Sequence, residues 1–392
     1  MNPDIGVSEN RRPIRVCWYS MVVPHYRVAV LNRLATMSAV DLTVCAGQDL
    51  PGVSNADASA SVVAPFVRLR NRFGSRRRVS FTYSYGWTQI PRMRFDVVIM
   101  GEQTRNVVHW LLLAARRIFS YRVVVVSHVR TASDLGRLGS WLRRKLIMAA
   151  DGVIAYGDEG AERAISWGVT PGKVVAMGNT IDVERVTRAR ANLQVEDVDR
   201  LKSELGLTGH VFLFIARPTP WKRLDVAIDA VRQLAERKVD AHILIVGTGA
   251  DLQQYVAQAR DMPFVHFIGG ESDEEKLAVY FAASDLVLIP GAVGLAASHA
   301  FAYGLPLVTA ATAEHGPEMV LARDGENSLL LEACRADVFA SALESLVHSP
   351  KHLAALKNGA EETVVPTTEE MANNIAHLLS RIVESENGWL AR

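Results

Sequence analysis

The chain has 392 residues, 49% hydrophobic and 22% charged, with a formal net charge of +1. That length exceeds what one hydrophobic core usually serves, and that balance excludes a disordered chain. No apolar run reaches the roughly 20 residues of a spanning helix, and three scattered cysteines without metal-ligand spacing count against structural disulfides, as in a reducing cytoplasm.

Residues 1–13 hold no apolar stretch and are expected to form a short disordered tail rather than a secretory signal. Beyond them, short β-branched runs alternate with longer amphipathic segments, the rhythm of βα units around a parallel sheet. Strands are expected at 14–20, 40–46, 96–100, 123–127 and 152–156, and helices at 26–36, 106–118, 138–150 and 159–167. A continuous run such as VVVVS suits a strand covered by helices on both faces. His25, Tyr26 and Arg27 follow the first strand, where they either touch a ligand or form a plain helix entry. The stretch 47–94, with Pro, Gly, Ser and clustered Arg, reads as partly loop. His128 ends the fourth strand, either facing a ligand or satisfied locally.

Charge divides the chain. Through residue 190 there are 27 Lys and Arg against 14 Asp and Glu, and beyond it 16 against 28. Halves of opposite sign predict two domains with different partners, the basic one drawn to phosphate-bearing lipid, anionic membrane or nucleic acid. Zinc spacing, a basic zipper and ribonucleoprotein motifs are all missing, which counts against nucleic acid. RLRNRFGSRRR (68–78) has six arginines in eleven residues. With Arg137, Arg143, Arg144 and Lys145 around Trp141 it is either a solvated surface or a membrane-facing one.

A polar, charged segment near 194–203 places a hinge at about 183–206. Strands are then expected at 210–216, 241–246, 264–267, 286–289 and 307–309. Helices are expected at 222–236, 251–260, 273–283, 295–303, 338–348 and 367–382. The pattern predicts an α/β chain of two tandem doubly wound domains, 14–190 and 191–366. A C-terminal helix, 367–392, would cross back to the first domain. Ligands of such sheets bind beyond the carboxyl ends of strands, so the cleft between the domains is the expected site.

Two segments carry chemistry. In VFLFIARPTPWKRLDVAIDA (211–230) a strand ends at Arg217 and a loop presents Lys222 at a helix start. Such a pair can clamp a diphosphate, or simply flank the helix as solvated charges. In LIPGAVGLAASHAFAYGLPLVT (288–309) a strand runs into a turn at Gly294 and a helix of small residues, whose first amides can receive a phosphate. IVGTGADL offers Gly247 and Gly249, but Leu252 stands where a dinucleotide fingerprint needs its third glycine.

In order, DGVIAYG (151–157), GVTPGKVVAMGNTID (168–182), ARPTPWKRLD (216–225), ILIVGTGADL (243–252), VGLAASHAFAYGLPLV (293–308) and HGPEMV (315–320) resemble the family 4 glycosyltransferases. The resemblance runs from 15 to about 383. It implies the glycosyltransferase-B fold of two facing Rossmann-like domains. It also implies a retaining, metal-independent transferase without cofactor. Its donor is a nucleoside diphosphate sugar, and its acceptor a hydroxyl of a glycan or lipid-linked glycan in bacterial polysaccharide or glycoconjugate synthesis. Such an enzyme is expected in the cytoplasm, peripheral on the inner membrane face. By the same resemblance Arg217 and Lys222 hold the donor diphosphate and His128 lies near the donor sugar, the three forming the catalytic set. Gly291, Gly294, Leu295 and His299 fall at its donor site, Gly247 is a strand-end turn that can also touch the nucleotide, Glu318 is a further donor-side candidate, and His25, Tyr26 and Arg27 are placed on the acceptor side.

The chain departs from the family at the paired glutamates, whose positions hold Gly291 and His299. His299 can still hydrogen-bond a ribose, whereas Gly291 offers nothing to a sugar hydroxyl. Asn179 and Asp182 are expected to organise the turn between domains, and Glu318 either faces the donor or anchors a loop. Two other readings share the fold. A nucleotide-sugar 2-epimerase would need acid/base carboxylates near the sugar, and a non-catalytic nucleotide-sugar binder would suit the lost glutamates.

Overall fold

The computed structural model describes residues 12–48, 57–76, 79–129 and 136–387. The chain divides into two compact units, Met1–Gly178 with Thr368–Arg392, and Asn179–Thr367. Residues 1–11 of the expected tail lie outside the described residues. Arg12 is already tied down, its guanidinium donating to both carboxylate oxygens of Asp96 at 3.0 and 2.9 Å.

The first unit is built on seven parallel strands in the spatial order Phe66–Arg68, Val40–Ala46, Ile14–Ser20, Val97–Gly101, Arg122–Ser127, Gly152–Ala155 and Val174–Ala176. The side-chain period of two splits each strand between two cores. Val16 and Trp18 face one core, shared with Leu31 and Leu34 of helix His25–Ala35 and with Met371, Ile375 and Leu378 of helix Thr368–Asn387. Cys17 and Tyr19 face the other, with Val108 and Leu112 of helix Val107–Phe119 and Leu146 and Ile147 of helix Gly136–Ala149. The terminal helix therefore completes the first unit, because its 3–4 spaced apolar stripe covers that sheet.

The second unit has six parallel strands in the order Val265–Gly269, Ala241–Val246, His210–Ile215, Leu286–Leu288, Leu307–Ala310 and Ser328–Leu331. Both sheets show the Rossmann order, in which the chain winds outward from a central strand, first to one side and then to the other.

Several expectations needed correction. The stretch 47–94 contains the parallel strand Phe66–Arg68, an antiparallel hairpin of Arg70–Arg76 with Val79–Tyr85, and helix Gln89–Arg92. Arginines alternating with small and aromatic residues hid this strand pattern. The segment expected to be a hinge forms two helices, Val183–Asn192 and Val195–Leu205. Val186 and Ala189 of the first are buried in the second unit's core, so the unit boundary falls at 178/179 rather than 190/191. Asp182 caps that helix by accepting the Arg185 amide at 3.0 Å. Strands Val174–Ala176 and Ser328–Leu331 and helix Pro350–Glu361 were not foreseen. Among the described residues the three cysteines are free thiols, and no helix is long and apolar enough to cross a membrane.

Candidate functional site

In a Rossmann sheet a crevice opens beyond the carboxyl ends of the two central strands, where the connections depart in opposite directions. In the second unit those strands are His210–Ile215 and Leu286–Leu288, which pair directly. Arg217 follows the first and Gly291–Leu295 the second, so the switch point gathers both chemical segments of the sequence.

The two loops are stitched together. The amides of Gly291 and Ala292 donate to the carbonyls of Lys222 and Trp221 at 3.1 and 2.7 Å. A Cβ at position 291 would lie 2.1 Å from the Trp221 carbonyl oxygen, so only glycine allows this approach. Gly247 has a similar task, since a Cβ there would meet the Ala216 carbonyl at 2.0 Å. The turn is closed from its other side by the following strand's loop. His315 Nδ1 accepts the Val293 amide at 3.1 Å while Nε2 reaches the Ala310 carbonyl at 2.8 Å, which defines a neutral ring with its proton on Nε2.

Lys222 sits at the centre of this corner. It ends the short turn Pro220–Lys222, and its Nζ donates to the Ala292 carbonyl at 2.5 Å. Burial draws its pKa below the usual lysine value, and the nearby Glu318 carboxylate pulls the other way. Glu318 is 5% exposed, and its Oε1 accepts a hydrogen bond from Asn179 Nδ2. Gly294 adjoins the same carboxylate, with room for a Cβ 3.9 Å from Glu318 Oε2. Leu295 is the N-cap residue of helix Ala296–Ala302. The amides preceding the first intrahelical bond face outward from such a helix start. Arg217 is exposed on the loop between the strand and Lys222. One ammonium, an exposed guanidinium and a cluster of amides beyond a parallel strand can hold a polyanion.

His299 lies on the same helix but is engaged elsewhere. Its Nε2 is 3.5 Å from Glu274 Oε1, which also accepts the Tyr303 hydroxyl at 2.8 Å. Burial alone would raise the Glu274 carboxyl, but these two partners hold it below the usual range. The His299 ring is thus paired with a carboxylate from helix Glu274–Ala282.

The first unit's residues divide. His25 and Tyr26 are exposed at the helix start, Tyr26 by 40%. Arg27 is turned inward and is only 5% exposed, because Tyr156 and Trp18 enclose it. Its Nη2 donates to the Tyr156 hydroxyl at 3.0 Å. Arg27, expected on the acceptor side, is thus packed against Tyr156 and Trp18. His128 stacks on the same Tyr156 ring with centroids 3.8 Å apart. Its backbone amide points at Glu102 Oε1 at 3.4 Å, and Glu102 Oε2 accepts the Ser127 hydroxyl. In the basic run, Arg68 is consumed internally by Asp57 at 2.8 Å and Ser59 at 2.6 Å. Arg77 and Arg78 lie outside the described residues, and Arg70 and Arg72 are exposed.

Tyr156, Glu102, Glu274 and His315 were missed as members of these clusters. Only His315 carried a signal, its place in HGPE beside Glu318.

The family model described as Glycosyl transferases group 1 matches residues 195–363, and that described as Glycosyltransferase Family 4 matches residues 28–185. A D-inositol 3-phosphate glycosyltransferase of Rhodococcus erythropolis is 34% identical over 175 residues, covering 41% of this chain and 39% of that enzyme. The chain spans about half the length, or less, of the curated relatives it matches. Among solved structures, Anabaena HepE with UDP and glucose matches at a TM-score of 0.68 and 18% identity, over 95% of this chain and 99% of that one. A UDP-N-acetylglucosamine 2-epimerase matches at 0.62 and 14%, over 97% and 98%. These likenesses establish the fold, two Rossmann-like domains of the glycosyltransferase-B type.

Proposed function

The chain belongs to the family 4, group 1 glycosyltransferases, and on that premise we propose that it moves a sugar from a nucleoside diphosphate sugar to a hydroxyl of a glycan or lipid-linked glycan. The observation that carries the reading is the Lys222 corner at the second sheet's switch point. There a partly desolvated ammonium stands beside the turn that holds Gly294 and Leu295, and the exposed Arg217 lies on the same loop as Lys222. Such a corner receives the two phosphates and stabilises the charge that develops on them as the glycosidic bond breaks. No bound metal is required in this scheme, since these fixed positive groups balance the leaving diphosphate.

The reaction is taken to retain configuration, with the leaving phosphate accepting the acceptor's proton on the same face of the sugar. His128, braced by Tyr156, is assigned to the donor sugar, and His25 and Tyr26 to the acceptor side. Gly247 and Gly291 serve by allowing the loops that flank the donor to approach one another, and Gly294 is assigned to the turn beside the donor. The HepE structure, described as a complex with UDP and glucose, makes UDP-sugars the first donors to try.

An anionic membrane is proposed as the surface on which a lipid-linked acceptor is met. Leu138 and Trp141 are 70% and 54% exposed on one side of helix Gly136–Ala149, among the exposed Arg137, Arg144 and Lys145.

The direct test is calorimetry with UDP, GDP and dTDP and their sugars, followed by incubation of the tightest donor with and without glycan acceptors. Acceptor-dependent release of the nucleoside diphosphate supports transfer. A new nucleotide sugar formed without acceptor would replace this reading with epimerisation, and binding without turnover would replace it with a non-catalytic role.

A further inference from the structure

His128 is exposed, yet its two chain neighbours are wholly buried, Ser127 and Val129 both at 0%. The turn that lifts the imidazole out beyond strand Arg122–Ser127 bends at Val129, whose φ is 49°. A buried β-branched residue seldom takes that conformation, and it persists only where the surrounding contacts hold it.

Those contacts lead to one carboxylate. The Val129 amide donates to Ser127 Oγ at 2.8 Å, and the Ser127 hydroxyl donates in turn to Glu102 Oε2. The serine thus uses a lone pair on one side and its single proton on the other, which fixes the direction of the relay. Glu102 Oε1 stands 3.4 Å from the His128 amide. One side chain therefore reaches Val129 through Ser127 and His128 directly. Glu102 follows strand Val97–Gly101 and is braced by Arg143 of helix Gly136–Ala149, whose Nε lies 3.7 Å from Oε2. Both side chains are only 14% exposed, so water weakens this ion pair little.

The other sides of His128 are closed as well. Helix Asp158–Ser166 passes so near that a Cβ at Gly160 would lie 3.2 Å from the His128 carbonyl oxygen. The imidazole lies on the Tyr156 ring, with centroids 3.8 Å and planes 8° apart. Tyr156 supports one face of the ring, while Glu102 and Ser127 hold the backbone from which the ring departs.

We propose that Glu102 is a positioning residue for His128: its carboxylate keeps the Ser127–Val129 turn in the strained form and so presents the imidazole to the donor sugar. The proposal rests on the assignment of His128 to that sugar. Glu102 acts through the turn, since its two oxygens are engaged by Ser127 and the His128 amide.

The test is calorimetry of UDP and UDP-glucose with the full chain and with Glu102→Gln, His128→Ala and the double variant. Glu102→Gln keeps the side chain's size and removes its charge. It should leave UDP affinity unchanged and weaken UDP-glucose about tenfold, the scale of one hydrogen bond to a charged group. His128→Ala should weaken UDP-glucose at least as much, and the double variant no further, because the two residues act as a unit. Ser127→Ala breaks the relay at its middle and should reproduce the effect of Glu102→Gln. A second measurement needs no ligand: the His128 Cε1 proton resonance, shielded by the Tyr156 ring, should move towards its ordinary position in Glu102→Gln. Losses that add in the double variant, an equal loss of UDP affinity, or an unmoved resonance overturns the proposal. UDP-glucose affinity untouched by His128→Ala while Glu102→Gln moves the resonance would instead strike the donor-sugar assignment of His128, and failure of UDP to bind would strike the donor reading.

Discussion

Lys222 binds the loop beyond the neighbouring strand twice. Its Nζ donates to the Ala292 carbonyl at 2.5 Å, and its own carbonyl accepts the Gly291 amide at 3.1 Å. The charge is therefore positioned by the same contacts that shape the turn. Lys222→Ala is expected to weaken UDP binding by tenfold or more, since hydrogen bonds to charged groups contribute about 1.5–3 kcal/mol. Arg217→Ala, on an exposed side chain, should weaken UDP comparably with little change in stability. Unaltered calorimetric affinity in both variants would sink the donor-site assignment.

Placing a glutamate at position 291 should harm the protein. The Cβ of Gly291→Glu would lie 2.1 Å from the Trp221 carbonyl, forcing the two loops apart. A loss of about 1–3 kcal/mol in urea unfolding is expected, as for other overpacked sites. UDP affinity should fall with it. A variant of wild-type stability and higher activity would refute this account of the glycine.

Tyr156 is shared by Arg27 and His128. Tyr156→Phe removes the acceptor of the 3.0 Å bond from Arg27 but keeps the ring on which His128 stacks. Stability should drop by about 1–3 kcal/mol, the usual cost of depriving a buried donor of a partner. UDP affinity should stay unchanged, whereas Tyr156→Ala should lower turnover as well by releasing His128. Equal turnover in the two variants would remove His128 from the donor site.

His109 gives the first unit an acid sensitivity. Burial pushes its pKa down to about 4, against the 6.5 of an unfolded histidine, with the Gln103 carbonyl opposing. The folded pKa is depressed, so the unfolded chain binds the extra proton between those values and stability falls as pH drops from about 6.5 towards 4. The slope approaches about 1.4 kcal/mol per pH unit for one proton. Urea midpoints of His109→Gln measured across that window should fall less steeply than those of the unaltered protein.

Membrane attachment can be read by sedimentation with phosphatidylglycerol and with phosphatidylcholine vesicles at low salt. Binding to the anionic vesicles alone is expected, reduced severalfold by Arg144→Glu and by Trp141→Ser. Equal recovery with both lipids argues against the proposed surface.

The repeating strand–helix rhythm was legible because buried parallel strands read as apolar runs with only one period to satisfy. Ile14–Ser20, Val40–Ala46 and Ala241–Val246 fall where the sequence placed them. The hairpin Arg70–Tyr85 was not legible, since its buried face holds Asn71 and Ser84 rather than apolar residues. Those side chains are polar because they bond Tyr19 and Met21, partners about 50 to 65 residues away that no local pattern reveals.

Read alone, the sequence determined the fold class and the placing of Arg217 and Lys222 after a strand. Those features depend on order along the chain. Tertiary structure decided which residues share a charge or a ring: Lys222 with Ala292 and Glu318, His299 with Glu274, and Arg27 with Tyr156. It also gave Gly291 its reason, which is another loop's carbonyl occupying the space where a side chain would stand. Such contacts depend on the sheet order, which brings the ends of distant strands to one edge.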